Sequence, residues 1–520
     1  MTQNHLIGIG GTGARALEAV THLCACGLGP DTLTMSFVDA DKGNGNLARA
    51  TQLLELYQQL RERLRNEGGA DQGQSDIGED CALFGTKIAT LPQGSHWSPV
   101  PAGNDNMREL FSSQTMSEDA RDLFDGLYNK HEQTLDLTEG FRARPAIGAA
   151  VSLAGAQPEE PFWDSLLQAL KEPQQGEESR IFLVASIFGG TGAAGFPAIA
   201  KLLRETLRDA GVRQGVHISG ALVLPYFRFD AKSGQNTQSA PGSDIFLAQT
   251  RASLKHYYHQ MTGDPTLFDN IYFIGWPELI PVGDSHPGGM QQNNPPLIPE
   301  LSAALASLTF FRSSEVPDKK LYRFGKRADR NGQPVPFGWE DLPDVTADRN
   351  WECRDRLGQA LRFAIALDLV YGEYLTVGNG EVGIGIVENQ AWYRKLIEDA
   401  GVDISMDRHQ DLLKKTRQYC QNLMRWSMTL CARSQTSDLK IALFETRYLA
   451  GNKLLADGLL ALNDKAEEHH MDGFSDLVHG KPADTLAELF DALTYSKPPK
   501  NTMRMGVFLR SLYEHCSLPE

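Results

Sequence analysis

Two glycine-rich segments, Gly8-Ile9-Gly10-Gly11-Thr12-Gly13 and Gly189-Gly190-Thr191-Gly192, each stand between a short apolar run and a stretch of helical periodicity. Leu6-Ile7-Gly8-Ile9 predicts a buried parallel strand. Ala14 to Leu23 carries apolar residues at helical spacing, so the first glycines fall on a strand-to-helix turn. There a missing Cβ lets the backbone approach an anion, and the free N–H groups and dipole of a helix start favour negative charge. A second apolar strand, Thr34 to Val38, ends in Asp39-Ala40-Asp41. Taken alone, this unit is an ordinary dinucleotide fingerprint, with Asp39 closing the second strand where a ribose hydroxyl would bind. A plain tight turn fits it as well.

The second loop changes that judgement. Arg180 to Ile187 is a nearly continuous β-prone run, too apolar for an edge strand, and it leads through Phe188-Gly189-Gly190-Thr191-Gly192-Ala193-Ala194-Gly195 into an amphipathic stretch ending near Arg208. A dehydrogenase has no need of a second phosphate loop in mid-sheet. Two such loops predict that one nucleotide's phosphate tail is held by backbone N–H groups from both sides. The purely structural alternative is a turn in which Thr191 caps a helix.

The order of these segments resembles the tubulin/FtsZ superfamily, particularly the divergent bacterial tubulin-like proteins. Its signature loop, Gly-Gly-Gly-Thr-Gly-[Ser/Thr]-Gly, grips the α- and β-phosphates. Gly189, Gly190, Thr191 and Gly192 match the core of that loop, Phe188 replaces its leading glycine, and Ala193 and Ala194 replace its hydroxyl residue and the following glycine. Gly10, Gly11, Thr12 and Gly13 match the family's first loop, and Asp39 the acid after its second strand. Arg144-Pro145-Ala146-Ile147-Gly148 is similar to the γ-phosphate loop, which implies a place beside the nucleotide for Pro145 and Ala146. Ile218 to Asp230 is similar to the next strand and its Lys-Pro-Phe-x-Phe-Glu ending, one residue longer, which puts Asp230 at a ribose-contacting acid. The resemblance covers residues 4 to 311 and implies GTP or GDP as the ligand.

Base recognition and catalysis rest on the same resemblance. Pro296 to Leu308 occupies the place of the family's central helix, near 296–311, at whose start an Asn and an Asp read guanine. Asn293 and Asn294 offer matching amide chemistry, and equally fit a helix cap or a turn. Phosphoryl transfer needs a positioned water, a cation such as Mg2+ on the β- and γ-oxygens, and a group that orients the water. In the family that group arrives from the next subunit of a filament on an Asn-x-Asp-x-x-Asp loop. Pro343 to Arg349 holds Asp344 and Asp348 at a different spacing, which also suits a solvated helix start.

A formal charge of −16 argues against broad nucleic-acid or anionic-membrane binding. No apolar run approaches the ~20 residues that span a bilayer, and no leader pattern precedes the first strand, so a cytoplasmic protein is expected. Seven cysteines, with Cys24 and Cys26 the one close pair, fit neither a disulfide framework nor a zinc site, and no metal ligands are assigned. The expected class is α/β: a tubulin-like, Rossmann-type parallel sheet over 1–311, with a polar insertion at 51–140, followed by a divergent, helix-rich region over 312–520. In that last region helices are expected near 352–371, 390–399, 410–432, 440–462 and 483–493, with a β-prone stretch at 376–387. The leading expectation is guanine-nucleotide binding, with hydrolysis coupled to self-association or to a bacterial protein partner, in a cytoskeletal or a phage-defence setting. A dinucleotide-dependent oxidoreductase or nucleotidyl-activating enzyme, and a nucleotide-binding scaffold without hydrolysis, are the alternatives.

Overall fold

A computed structural model describes residues 2–65, 75–101, 103–142, 144–155, 157, 159–171, 178–212, 215–229, 243–284, 286, 288–313, 327–328, 330–346, 352–371, 391–445 and 474–519. Strand β1 (Gln3–Ile9) runs into helix α1 (Gly10–Ala25), β2 (Thr32–Val38) follows, and then α2 (Gly45–Arg65), β3 (Lys87–Ala89) and β4 (His96–Trp97). Three short helices, α3 (Met107–Leu110), α4 (Glu118–Leu127) and α5 (Lys130–Gln133), precede α6 (Pro145–Gly155) and α7 (Pro161–Lys171). The second half of the sheet unit is β5 (Ser179–Ser186), α8 (Gly190–Asp209), β6 (Val216–Val223), β7 (Phe227–Arg228), α9 (Ser243–Gly263), β8 (Asn270–Ile274), β9 (Ile280–Pro281) and α10 (Ile298–Arg312).

The main sheet has the order β3-β2-β1-β5-β6-β8, with β4 also pairing on β2, and its pairings are parallel. All eight residues of β5 are buried, which is what a strand flanked on both edges and covered on both faces requires. Ile9 of β1 lies opposite Val38 on one side and Ala185 on the other, so the carboxyl ends of β1, β2 and β5 are level. The chain proceeds outward from β1 to β2 in one direction and from β5 to β6 in the other. The crevice between the ends of β1 and β5 is therefore the topological switch point of the sheet.

The stretch 51–140 is more than an insertion. Leu53, Leu54, Tyr57 and Leu60 of α2 are buried in the main core, and β3 extends the sheet, because these apolar residues recur on one helical face that covers α1. The rest forms a small core of its own, in which Met107, Leu137 and Phe141 meet Ile147 and Val151 of α6. That second core seats the turn at 139–142 next to the sheet's carboxyl edge.

Helix α11 (Glu352–Val370) agrees with the sequence pattern, as do α12 (Asp407–Arg433) and α13 (Leu486–Tyr495), and a last helix, α14 (Met505–His515), closes the chain. Residues 391–399 form one helical turn continuing as a π-helical turn at Arg394–Glu398. A helix at 440–462 is not seen in its described part. Phe337 N–H donates to the Lys440 carbonyl at 2.8 Å and Ala442 N–H to the Phe337 carbonyl at 2.8 Å, so this segment is extended and bridged, burying Leu443 and Phe444. Residues 446–462 and 376–387 lie outside the described residues. The carboxyl-terminal helices share one hydrophobic core with the sheet. His22 of α1 sits 4.8 Å from the Trp426 ring, and Ser434 Oγ accepts from Ile298 N–H at 2.9 Å at the start of α10. All seven cysteines are free and buried.

Gly13 sets the distance between α1 and the sheet. A Cβ there would stand 2.6 Å from the Gly8 carbonyl carbon and 2.8 Å from the Val184 carbonyl oxygen, both backbone atoms that cannot swing aside. Gly13→Ala is therefore expected to destabilise the fold by about 1–3 kcal/mol or more, as overpacking does. An unchanged urea midpoint would show that the sheet relaxes freely at this point.

Candidate functional site

Both glycine loops open onto one cleft at the switch point, with an empty volume of about 900 Å³ that includes its open mouth. Gly10 takes a left-handed φ of +70°, and a Cβ on it would lie 3.4 Å from Gly192 N and 3.5 Å from Thr191 Cβ. The two turns are thus packed against each other. Neither Ile9 before α1 nor Gly189 before α8 caps its helix with a side chain, although the helices are 16 and 20 residues long. Two helix starts with N–H groups uncovered by side chains therefore face the same space.

Around these donors the cleft carries three further walls. Asp39, at the end of β2, is buried; it accepts from Asn44 Nδ2 at 3.1 Å and from Thr191 Oγ1 at 3.4 Å. Burial first, and the neighbouring Asp41 carboxylate after it, push the Asp39 carboxyl up to about 7. Asn44 Nδ2 also donates to Gln292 Oε1 at 2.9 Å, Asn46 Nδ2 to the Gln292 carbonyl at 2.7 Å, and Asn294 N–H to Asn46 Oδ1 at 2.9 Å, making an amide wall. Phe188, Phe227, Phe229 and Phe246 form an aromatic wall on the side of the second loop. The turn Glu139 to Arg142 lies across the mouth.

The floor is a buried ion pair. Arg15 Nε donates to Glu300 Oε1 at 2.5 Å, Arg15 Nη2 to the Tyr226 hydroxyl at 2.7 Å, and Tyr226 donates onward to Glu300 Oε1 at 2.5 Å. Arg15 and Glu300 are 2% and 1% exposed. Burial works to lower the Arg15 pKa, but the Glu300 carboxylate and the Tyr226 oxygen outweigh it and the net shift is upward. Burial raises the Tyr226 pKa, so it remains a neutral donor. Leu297 N–H also donates to Glu300, at 2.5 Å, so the pair ties α1, the strand end at Tyr226 and the start of α10 into one unit.

Of the residues expected from sequence, Gly10, Gly11, Thr12, Asp39, Gly189, Gly190, Thr191, Gly192 and Asn294 line the cleft together. Gly13 does not; it is the packing glycine beneath the loop. Pro145 and Ala146 begin α6 beside the second loop without lining the cleft, and Gly148 of the same helix fits against Gly190, where a Cβ would stand 2.6 Å from its carbonyl oxygen. Asn293 turns away, its Oδ1 accepting from Arg49, whose guanidinium is held by Glu18. Asp344 is remote from the cleft. Thr346, two residues on, donates to Glu352 at 2.8 Å, and Glu352 pairs with Arg312 at the far end of the 15-residue α10, about 22 Å along its axis from the start. Asp230 and Asp348 lie outside the described residues. Sequence reasoning missed Arg15, Glu300, Asn44, Asn46 and Gln292. For Arg15 and Glu300 the available signal was a charge in the first turns of each of two largely apolar helices, since a buried charge needs a buried partner.

A family model described as tubulin like matches residues 146–245, from α6 through β5, the second loop, α8 and β6 to the start of α9. Over those residues the chain is similar to the tubulin-like family. No curated protein matches it at a significant level. The tubulin-like match contains the second glycine loop, and the parallel sheet continues it on the amino-terminal side through β1 and the first loop. Among the described residues no cluster of three metal-ligating side chains forms, and no helix is long and apolar enough to cross a membrane.

The raised Asp39 pKa couples stability to pH. A carboxyl that is protonated up to about 7 when folded, but ionises near 3.9 when unfolded, contributes stability present below pH ~4 and lost as pH rises towards 7. Ligand-free Asp39→Asn is expected to gain on the parent protein steadily between pH 4 and 7 and to hold that gain at pH 8. Thermal melts across this range test it, and parallel curves would show that Asp39 ionises normally.

Proposed function

We propose that this cleft binds a guanine nucleotide, its phosphate tail held between the starts of α1 and α8. The observation that carries this is the contact of Gly10 with Gly192, which brings two helix starts without side-chain caps onto one side of one cleft. Each attracts an anion by its N–H groups and dipole. A dinucleotide site uses one such loop and leaves the acid after the second strand free for a ribose. Here Asp39 is turned to Thr191 of the second loop and to Asn44, which favours a phosphate-centred site. Asp39 and Asp41 beside those donors fit a cation between carboxylate and phosphate. Mg2+ carried in with the nucleotide would neutralise the charge that burial otherwise removes by protonating Asp39.

The guanine preference rests on the family resemblance, with Asn294 and the amide wall as the groups that would meet the base. Hydrolysis is proposed as slow and dependent on a second copy. Asp344 stands a helix length from its own cleft, so it can reach a nucleotide only across a contact between molecules.

Mass spectrometry of nucleotide released from the denatured protein tests the ligand: GTP or GDP is expected, whereas NAD or ATP would favour an alternative enzyme class. Gly11→Val is expected to abolish nucleotide retention while leaving the melting temperature near that of the parent. A Cβ on Gly11 meets side-chain ends and no backbone, the Asn46 and Asn44 amides at 3.2 and 3.5 Å and Arg15 Nη1 at 3.7 Å, and the added methyls would enter the phosphate space. A Gly11→Val protein that still retains nucleotide would remove the first loop from the site. GTP turnover per molecule should rise with protein concentration and fall in Asp344→Ala without loss of binding; turnover independent of both would place the catalytic groups within one molecule.

A further inference from the structure

We propose that a second copy of this chain docks on the outer row of α9, laying the outer row of its own α4 there, in a contact apart from the cleft. Helix α9 carries two parallel rows. Phe246, Thr250, Ser253 and Tyr257 recur at helical spacing and are buried, with Tyr257 stacked on Phe196 of α8. One position further round, Leu247, Arg251, Leu254 and Tyr258 repeat that spacing and face outward, Leu247 and Tyr258 being 59% and 64% exposed. The edge strand β8 adds to this face. Phe273, 50% exposed, pairs in register with Leu222, which stands on the same side of the sheet as Gly220 under the Phe196 ring. Single apolar side chains on a surface need no explanation, but a row of them beside an apolar edge strand marks a surface that meets another molecule.

The charge on this row points to the occupant. From Leu247 to Tyr258, α9 carries Arg251 and Lys255, both exposed, and no carboxylate, in a chain whose formal charge is −16. A complementary partner supplies apolar contact together with negative charge. The chain holds such a surface on α4. Phe124 anchors α4 in the satellite core, while Asp119, Leu123 and Leu127 fall at i, i+4 and i+8 on an outer row, the two leucines 64% and 63% exposed. Glu118 and Asp122 are exposed beside them. The one arginine of this helix, Arg121, is turned to the Ser113 and Gln114 carbonyls at 3.4 and 3.2 Å, so it leaves the row acidic. Both rows are open in the same molecule, so they do not cover each other, and a contact between them joins two molecules. Because the two surfaces differ, the contact is heterologous and leaves one free row of each kind on every pair. It uses neither glycine loop nor Asp344, and so stands independently of the nucleotide reading.

Sedimentation velocity of the full chain over a concentration series tests this. The parent should associate as its concentration rises, and less so at high salt, which screens the opposed charges. Leu123→Ser with Leu127→Ser on α4, or Leu247→Ser with Leu254→Ser on α9, should each weaken association about 10-fold or more, the scale set by the lost burial of two leucines. Mixing the two variants decides the geometry. The α4 variant keeps an intact α9 and the α9 variant an intact α4, so the mixture should form a one-to-one dimer and nothing larger at concentrations where each alone is monomeric. That recovery also shows that both variants are folded. A parent that stays monomeric overturns the proposal, as does association that both serine pairs leave unchanged, or a mixture of variants, each melting with the parent, that stays monomeric.

Discussion

The approach of Gly10 to Gly192 is the constraint on which the site depends. Two parallel strands side by side in a sheet necessarily bring their following turns together, but side chains normally keep those turns apart. Here glycines on both turns, with Gly13 beneath them, let α1 and α8 begin almost in contact. Side-chain caps are missing at both starts, so the donors that helix ends leave unpaired are left for something else. A fold that gave up two caps for packing alone would lose stability at each without recompense. The arrangement is intelligible as a site for an anion that engages both helices.

Charge inside the cleft follows from the same economy of space. Arg15 and Glu300 are almost completely buried, and neither could be tolerated alone; together with Tyr226 and the Leu297 N–H they form a closed set of hydrogen bonds. The set fixes α10 against α1. Because Ser434 binds the first turn of α10, the carboxyl-terminal region has a mechanical connection to the floor of the cleft. Among the described residues Asp39 is paired with no cation, accepting from Asn44 and Thr191 instead, and burial raises its pKa. The carboxylate on the floor of the cleft is thus paired with a guanidinium, and the one in its wall with neutral donors.

Apolar packing holds the C-terminal helices alongside polar links such as Arg510 of α14 to Asp80 at 2.7 Å. Tyr419 and Trp426 of α12 close over His22 of α1, and burial keeps that imidazole neutral, its pKa lowered to about 3. The sheet and the helical region therefore share a single core, while the far end of α10, where Asp344 lies, remains separate from the cleft. The glycine-loop cleft thus stands at one end of α10 and the loop bearing Asp344 at the other.

Local chemistry was legible in the chain. Glycines flanked by apolar strands and periodic helices specify strand-to-helix turns, since no other residue permits that backbone approach, and the apolar run of β5 specifies a central strand. Both loops, the parallel sheet and most of α11 and α12 follow from such short-range regularities. Gly13 and Asn293 show the limit: beside true cleft residues in sequence, they face away because a single residue along a helix or turn rotates a side chain out of register. Arg15, Glu300, Gln292 and Arg142 come from segments far apart in the chain, and no local pattern says which of them meet. Only the tertiary structure could join them, because the pairing of buried charges and the satisfaction of buried donors are properties of distance in space, whereas periodicity and glycine permissiveness are properties of neighbours along the chain.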